Sequence, residues 1–202
     1  KECPNQQSPP FVLQAATGAG KTEAIVFPSL AFQRRLILVL PTRSLVDDLT
    51  VLNLEDKTKS GRLHRYLERY SECFGLGEHT LIVDTGTSME RTVYREGQRT
   101  FPLQERRAGK DRSHLYRGDI IVTTLDKFIY RFFGFAWGRK SYIYPLRINR
   151  SDTLVCFDEA HAYDATAFTN FSHLVTTLYE KNVGVVAMTA TLPEPFRRYF
   201  EF

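Results

Sequence analysis

The sequence has few cysteines and no long apolar run, and each absence excludes a class of protein. Its 202 residues include three cysteines, Cys3, Cys73 and Cys156, an odd number without the paired spacing of a disulfide framework or a zinc site. A reducing compartment is therefore expected. No apolar run approaches the ~20 residues that cross a bilayer, and no charged-then-apolar signal segment opens the chain. We therefore expect a cytoplasmic protein without a membrane partner.

The composition is that of a folded domain. Hydrophobic residues make up 43% of the chain, which is enough to bury one sizeable core in a single α/β domain. The net charge of +4 permits a polyanionic partner but does not establish one. Because the chain begins with Lys1 instead of Met, and Phe202 closely follows a motif, we expect residues 1–202 to be one domain of a longer protein.

Residues 11–24 have the pattern of a buried strand, a glycine turn and a helix start. Gly18 and Gly20 allow the backbone to wrap a phosphate, and the following helix directs free N–H groups at the anion. Lys21 is placed to reach the β- and γ-phosphates and Thr22 to ligate Mg²⁺. A chance glycine turn is the competing interpretation, which the strand-loop-helix context disfavours. The predicted nucleotide-binding residues are Thr17, Gly18, Ala19, Gly20, Lys21 and Thr22.

Apolar runs alternate with helical patterns through most of the chain. Beyond the first strand, strands are predicted at 36–40, 80–83, 119–123, 153–157 and 183–188, and helices at 22–33, 44–52, 61–74, 124–133 and 165–181. Polar motifs follow the strand ends. This arrangement predicts an α/β fold, a mostly parallel sheet with helices on both faces and its site along one edge.

Two segments break the alternation. Residues 88–118 carry surplus arginine and lose the apolar period, which predicts a loop or hairpin-like insertion. We expect its basic part, residues 91–117, to be mobile or docked on a partner and not part of the core. Between residues 134 and 150, aromatic and basic residues interleave without an acid. These aromatic side chains could stack on bases or split a duplex, with core packing as the competing interpretation, and Trp137 is the best candidate among them for exposure.

An acidic pair, Asp158-Glu159, directly follows the apolar run 153–157. Carboxylates at a strand end are unfavourable to bury unless a cation meets them. We predict that Asp158 holds the metal and that Glu159 orients and deprotonates the water that attacks the γ-phosphate. Together with Lys21 they form the predicted catalytic set. Capping of the following helix is the alternative role.

Polar residues near the acidic pair and after the last strand include no nucleophile paired with a base. We predict that these residues sense bound nucleotide and couple it to another surface. The predicted coupling residues are His161, Thr189, Ala190 and Thr191.

Five segments, AATGAGKT, LPTRSL, DIIVTTLDKF, DEAH and TATLP, occur in this order over nearly the whole chain. They resemble the motifs of the first RecA-like domain of superfamily 2 helicases, in DEAH-box spelling. KTEA, TTLDKF and FDEAHAYD are further similar to the CRISPR-associated helicases of type I interference. The resemblance implies a RecA-like P-loop NTPase domain with ATP and Mg²⁺ as cofactors. It also implies nucleic-acid contacts at Pro41, Thr42, Arg43, Gly86, Thr123 and Thr124.

The resemblance also implies partners. Such motors have a second RecA-like domain that supplies arginine fingers, and nothing after Thr191 has room for it, so this chain alone should hydrolyse ATP poorly. Related helicases are often fused to a nuclease with a His-Asp motif, and no His-Asp dipeptide occurs here. Cleavage would therefore belong to another segment or chain, alongside a CRISPR effector complex.

Three functions stay open from the sequence. They are an ATP-driven translocase on single-stranded DNA, a DEAH-box RNA remodelling enzyme, and a nucleotide-binding docking module without turnover. The FDEAHAYD and TTLDKF spelling favours the first, while intact Lys21 and Glu159 disfavour the third. The motifs do not separate DNA from RNA, because contacts to backbone phosphates carry no base information.

Overall fold

The computed structural model describes residues 9–51, 60–74, 77–85, 89–95, 98–99, 103–104, 118–133 and 153–191. The strands are β1 (Phe11–Gln14), β2 (Arg35–Leu40), β3 (His79–Asp84), β4 (Met89–Arg95), β5 (Gln98–Arg99), β6 (Leu103–Gln104), β7 (Ile120–Thr124), β8 (Thr153–Phe157) and β9 (Gly184–Thr189). The helices are α1 (Lys21–Ala31), α2 (Arg43–Thr50), α3 (Arg62–Phe74), α4 (Leu125–Phe133) and α5 (Ala165–Glu180), with a 3₁₀ turn at Ala160–Ala162.

These strands form one sheet in the order β1-β9-β8-β2-β7-β3-β4-β5, with β6 beside β4. In this spatial order, the six strands β1, β9, β8, β2, β7 and β3 are all parallel to their neighbours. β4 runs antiparallel to β3, and β5 and β6 run antiparallel to β4. The sheet is therefore mostly parallel with an antiparallel edge, which confirms the predicted α/β class.

Helices cover both faces of the sheet. Neighbouring residues of β2 point to opposite faces, so Leu38 packs in one apolar cluster and Val39 in the other. Helices α1, α2 and α3 contribute to the cluster around Leu38, and α4 and α5 to the cluster around Val39. Coverage on both sides explains why β2 is a continuous apolar run. None of the helices described has both the length and the apolarity needed to cross a membrane.

Side-chain caps fix where two of the helices begin. The Oγ1 atom of Thr42 accepts a hydrogen bond from the Leu45 backbone N–H (3.4 Å), and α2 starts at the next residue. The Oδ1 atom of Asp164 accepts from the Ala167 N–H (2.8 Å) at the start of α5. Such caps satisfy backbone donors that have no partner within the helix.

The prediction that the arginine-rich segment lies outside the core is wrong for its first strand. β4 pairs with β3 from His79↔Tyr94 to Asp84↔Met89. Tyr94 is fully buried and its hydroxyl pairs with the Nδ1 atom of buried His64. The apolar period fades because the buried face of β4 carries Thr92 and Tyr94 instead of aliphatic residues. Residues 105–117 lie outside the described ranges, as do Trp137 and Gly86.

Candidate nucleotide site and adjoining sheet edge

The motifs predicted from the sequence lie at the carboxyl ends of neighbouring parallel strands. The glycine loop follows β1, residues 189–191 lie at the end of β9, and Asp158-Glu159 follows β8. These ends are adjacent, because Gln14 of β1 pairs with Thr189 of β9 and Phe157 of β8 pairs with Ala187 of β9. On the other side of β8, β2 ends before Pro41 and β7 ends in Thr123-Thr124. The predicted nucleotide motifs therefore adjoin one another, and the predicted strand contacts begin beside them.

The glycine loop between β1 and α1 is held by backbone geometry. Gly18 and Gly20 have φ angles of 81° and 83°, which side-chain-bearing residues rarely adopt. Gly20 is the N-cap of α1, so the first N–H groups of that helix face the loop. The Ala15 N–H donates to the Thr189 carbonyl (3.2 Å) and ties the loop to β9. The loop thus has the form of an anion cradle at a helix N-terminus.

Lys21 is buried and is held on the loop's own carbonyls. Its Nζ atom donates to the Ala15 carbonyl oxygen at 2.8 Å and to the Ala16 carbonyl oxygen at 3.2 Å. Both acceptors are neutral, so phosphate oxygens would be stronger partners for the ammonium. Lys21 is therefore positioned to exchange these bonds for a nucleotide.

Asp158 supplies a buried carboxylate beside the loop. Burial raises the pKa of Asp158, the neighbouring Glu159 raises it further, and Lys21 and Arg62 act in the opposite direction. The Oδ1 atom of Asp158 accepts from the Glu159 backbone N–H at 2.9 Å. Glu159 itself has a φ angle of 51°, an unusual left-handed conformation for a glutamate. Outliers of this kind are often found at functional sites.

The donor set fits Mg²⁺ bound together with a nucleotide. The Thr22 hydroxyl and the Asp158 carboxylate are oxygen donors, the kind that Mg²⁺ prefers. Within the ranges described, no three His, Cys, Asp or Glu side chains cluster as a metal site. Mg²⁺ commonly uses one or two protein ligands and takes the rest from phosphates and water, so two donors are sufficient here.

His161 links the acidic pair to the end of β9. Its Nδ1 atom lies 3.1 Å from the Thr189 Oγ1 atom and 3.3 Å from the Glu159 Oε2 atom. The Thr189 hydroxyl donates its own hydrogen to the Thr191 carbonyl. Its oxygen is therefore the acceptor for His161, which assigns a proton to Nδ1. The structure thus brings three of the predicted coupling residues into one hydrogen-bonded chain.

A pocket of about 340 Å³ opens at the acidic pair and contains residues that sequence patterns did not single out. Its lining includes Asp48 of α2 and Arg62 of α3, facing Asp158 and Glu159. The Nη2 atom of Arg62 donates to the Thr22 Oγ1 atom at 3.3 Å. Arg62 lies in an arginine-rich helical pattern without a motif, so no local signal distinguishes it from solvated neighbours.

The predicted strand-contacting residues divide into two groups. Thr42 and Arg43 are exposed at the start of α2, and Arg43 pairs loosely with Asp47 (Nε–Oδ2 3.6 Å). Pro41 beside them is half-buried. The structure does not present Thr123 and Thr124 in the same way: both side chains are buried, and the Thr123 hydroxyl donates to the Asp84 carbonyl at 3.0 Å. Their side chains are therefore not exposed at the sheet edge as those of Thr42 and Arg43 are, and the nucleic-acid contacts at Thr123 and Thr124 stay a prediction.

A family model for "Type III restriction enzyme, res subunit" matches residues 1–194. The chain belongs to that family. No curated protein sequence matches it. A hypothetical ATP-dependent RNA helicase from Sulfolobus tokodaii shares the fold, with a TM-score of 0.53 and 17% identity over 96% of this chain and 45% of that one. The Hef helicase domain of Pyrococcus furiosus aligns with a TM-score of 0.48 and 17% identity over 97% of this chain and 33% of that one.

The family match and the shared fold support a RecA-like domain of the superfamily 2 helicase type, a class of ATP-dependent domain. The chain spans less than half of either solved chain. The family match therefore supports the type of domain, and the glycine loop and the acidic pair are its predicted nucleotide site.

Proposed function

We propose that this res-subunit-family domain is the ATP-binding half of a motor that translocates on single-stranded nucleic acid. One observation carries the proposal. Along a single sheet edge, the glycine loop, residues 189–191 and the acidic pair are contiguous, and the exposed Thr42 and Arg43 follow on the next strand over. Nucleotide chemistry and a strand contact would thus share one rigid element, as a motor requires.

The residues of the site divide the work of phosphoryl transfer. Lys21 and the loop N–H groups would bind the phosphates, and Thr22 and Asp158 would hold Mg²⁺. When bound, Mg²⁺ supplies positive charge that offsets the charge of the phosphate oxygens. Glu159 would orient the attacking water and accept its proton at the carboxylate, which His161 holds in place through the 3.3 Å contact.

The hydrogen-bonded chain from Glu159 through His161 to Thr189 is a physical route for coupling. A change at Glu159 on nucleotide binding or hydrolysis would alter the His161 contact and, through it, the end of β9. We infer that this route reports the nucleotide state to a second RecA-like domain. That domain would also supply arginine fingers, so we expect the isolated chain to hydrolyse ATP poorly.

For the biological setting we propose type I CRISPR interference. The FDEAHAYD and TTLDKF segments resemble those of the CRISPR-associated helicases. The partners would then be single-stranded DNA, a CRISPR effector complex and a nuclease on another segment or chain. The Sulfolobus tokodaii protein is described as an RNA helicase, which is compatible with an RNA remodelling function, but a shared fold does not select the substrate.

The test is the steady-state ATPase rate of the full-length protein with and without single-stranded DNA or RNA of matched length. We expect ATP hydrolysis that single-stranded DNA stimulates more than RNA does. Stronger stimulation by RNA would favour the remodelling enzyme. ATP binding without hydrolysis under any of these conditions would instead identify a docking module.

A further inference from the structure

Arg62 of α3 occupies a position that the motif-based assignment leaves without a role. Its Nη2 atom donates to the Oγ1 atom of Thr22 at 3.3 Å, the same oxygen that the proposed function assigns to Mg²⁺. Its guanidinium also acts electrostatically on Asp158, the other proposed metal ligand. The positive charge of Arg62 therefore acts on both proposed metal ligands, the Thr22 hydroxyl and the Asp158 carboxylate.

Packing of α3 explains how Arg62 reaches the loop. A Cβ atom on Gly61 would lie 2.4 Å from the Leu49 carbonyl oxygen, so only glycine lets α3 begin this close to α2. The Gly61 N–H donates to the Val51 carbonyl at 2.6 Å and fixes that start. Arg62 is the next residue and the first of the helix.

A second contact orients the same helix face. Tyr66, one turn after Arg62, lies close to Glu23, the residue that follows Thr22 in α1: burial raises the pKa of the Tyr66 hydroxyl, and Glu23 raises it further. Residues four apart lie on one face of a helix, so this face of α3 meets the first turn of α1 at two successive positions. Arg62 is itself exposed, as Arg65 is, but the start of α3 places its guanidinium at the loop.

We propose that Arg62 competes with Mg²⁺ for the Thr22 hydroxyl and thereby sets the Mg²⁺ concentration that nucleotide binding requires. This inference rests on the proposed function, because it assumes that the loop binds a nucleotide with Mg²⁺. Arg62 and a divalent cation repel each other at a shared oxygen, so metal entry requires the guanidinium to move away. Arg62 is then a positioning residue that acts through Thr22.

The experiment uses the full-length protein and a fluorescent ATP analogue whose binding is followed while Mg²⁺ is titrated. Arg62→Ala should lower the half-saturating Mg²⁺ concentration by roughly fivefold, the scale of one ordinary hydrogen bond, because the substitution removes the bond that competes with the metal for Thr22. Arg62→Gln, which keeps a donor but no charge, should give a smaller shift. Arg65→Ala removes the same charge from an exposed site on the same helix and should leave the midpoint unchanged.

Several outcomes would overturn the proposal. An unchanged Mg²⁺ midpoint in Arg62→Ala would show that the contact with Thr22 does not affect the metal. Weaker analogue binding, with or without Mg²⁺, would show that Arg62 contacts the nucleotide itself. An equal shift of the Mg²⁺ midpoint in Arg65→Ala would show that the loss of any positive charge on α3 has this effect, and not the loss of the Thr22 contact. If the wild-type protein bound no analogue, the proposed function would fail first, and that result is distinct from all of these.

Discussion

Arg131 and Asp84 form a buried ion pair in which the Nε and Oδ2 atoms are 3.1 Å apart. The pair joins α4 to the carboxyl end of β3, and the Asp84 carbonyl also accepts the Thr123 hydroxyl. The side chains are 10% and 1% exposed, so neither charge has much contact with water. The end of β3 and the end of β7 are thereby fixed to each other next to the exposed Thr42 and Arg43.

Arg131→Met should lower the free energy of unfolding by about 3 to 5 kcal/mol, because it leaves the buried Asp84 carboxylate without its cation. Arg95→Ala is the control, since the Arg95–Glu78 pair is 69% and 44% exposed and should contribute about 0 to 1 kcal/mol. Urea unfolding of both variants gives the comparison. Equal losses would show that the buried pair has no special role in stability.

Glu159→Gln in the full-length protein should reduce ATP turnover by about 10²- to 10⁴-fold, because the amide cannot accept the proton of the attacking water. Nucleotide should still bind, since Lys21, Thr22 and Asp158 are unchanged. Lys21→Ala should instead weaken binding itself. Steady-state ATPase rates and an equilibrium binding assay separate these effects, and near-normal turnover of the Gln variant would remove Glu159 from the catalytic role.

Asp158→Asn should stabilise the nucleotide-free protein at neutral pH while impairing Mg²⁺-nucleotide binding. Folding raises the pKa of Asp158 above its ordinary value of 3.8, so the folded state holds the proton more tightly than the unfolded state. The stability from this group is therefore present below that value and is lost as the pH rises through the raised pKa. The asparagine side chain does not titrate, so the stability of the variant does not fall with pH at this position.

Urea unfolding of wild type and Asp158→Asn without nucleotide, from about pH 4 to pH 7, tests the sign of that linkage. The advantage of the variant should grow over the lower part of the range and then level off. Asp47→Asn, a change at an exposed carboxylate, is the control. A difference that is independent of pH, or a wild type that is the more stable at pH 7, would contradict the expectation.

Gly61→Ala should destabilise the fold by about 1 to 3 kcal/mol, since the added methyl would meet the Leu49 carbonyl oxygen at 2.4 Å and push α3 from α2. Gly77→Ala is the matched control, because nothing lies within 4 Å of the added atom. Thermal unfolding measures both. A Gly61 variant as stable as the Gly77 variant would show that α3 tolerates the displacement.

The sequence predicted best where one local pattern decides the structure. β8 runs from Thr153 to Phe157 as its apolar run predicts, and the glycine loop adopts the positive φ angles expected at Gly18 and Gly20. β7 extends one residue further than its pattern indicated, which places Thr124 inside the strand and buries its side chain. Strand ends depend on neighbouring strands, and single-segment patterns do not contain that information.

Features that depend on distant packing were not predictable. Tyr94 is buried because β4 pairs with β3 and its hydroxyl meets His64, whereas its own segment reads as polar and basic. Arg62 reaches Thr22 across 40 residues through the packing of α3 on α2. No local periodicity encodes either contact, because each requires the positions of two separate elements to be known.

The exposed Arg43 provides the last prediction, which concerns nucleic-acid binding by the full-length protein. Its guanidinium is 60% exposed and pairs at 3.6 Å with Asp47, which is 55% exposed, so a phosphate could replace Asp47 as its partner. If this domain neutralises about three phosphates of a single strand, log K should fall with log salt with a slope near −2. Arg43→Ala should make the slope shallower by about 0.7 and weaken binding to every sequence alike.

Arg34→Ala removes the same charge from an exposed site before β2, at the opposite edge of the sheet, and should leave the slope unchanged. A salt titration of binding to single-stranded DNA for the three proteins decides the matter: an unaltered slope in the Arg43 variant, or an equal change in the Arg34 variant, would place the strand path elsewhere.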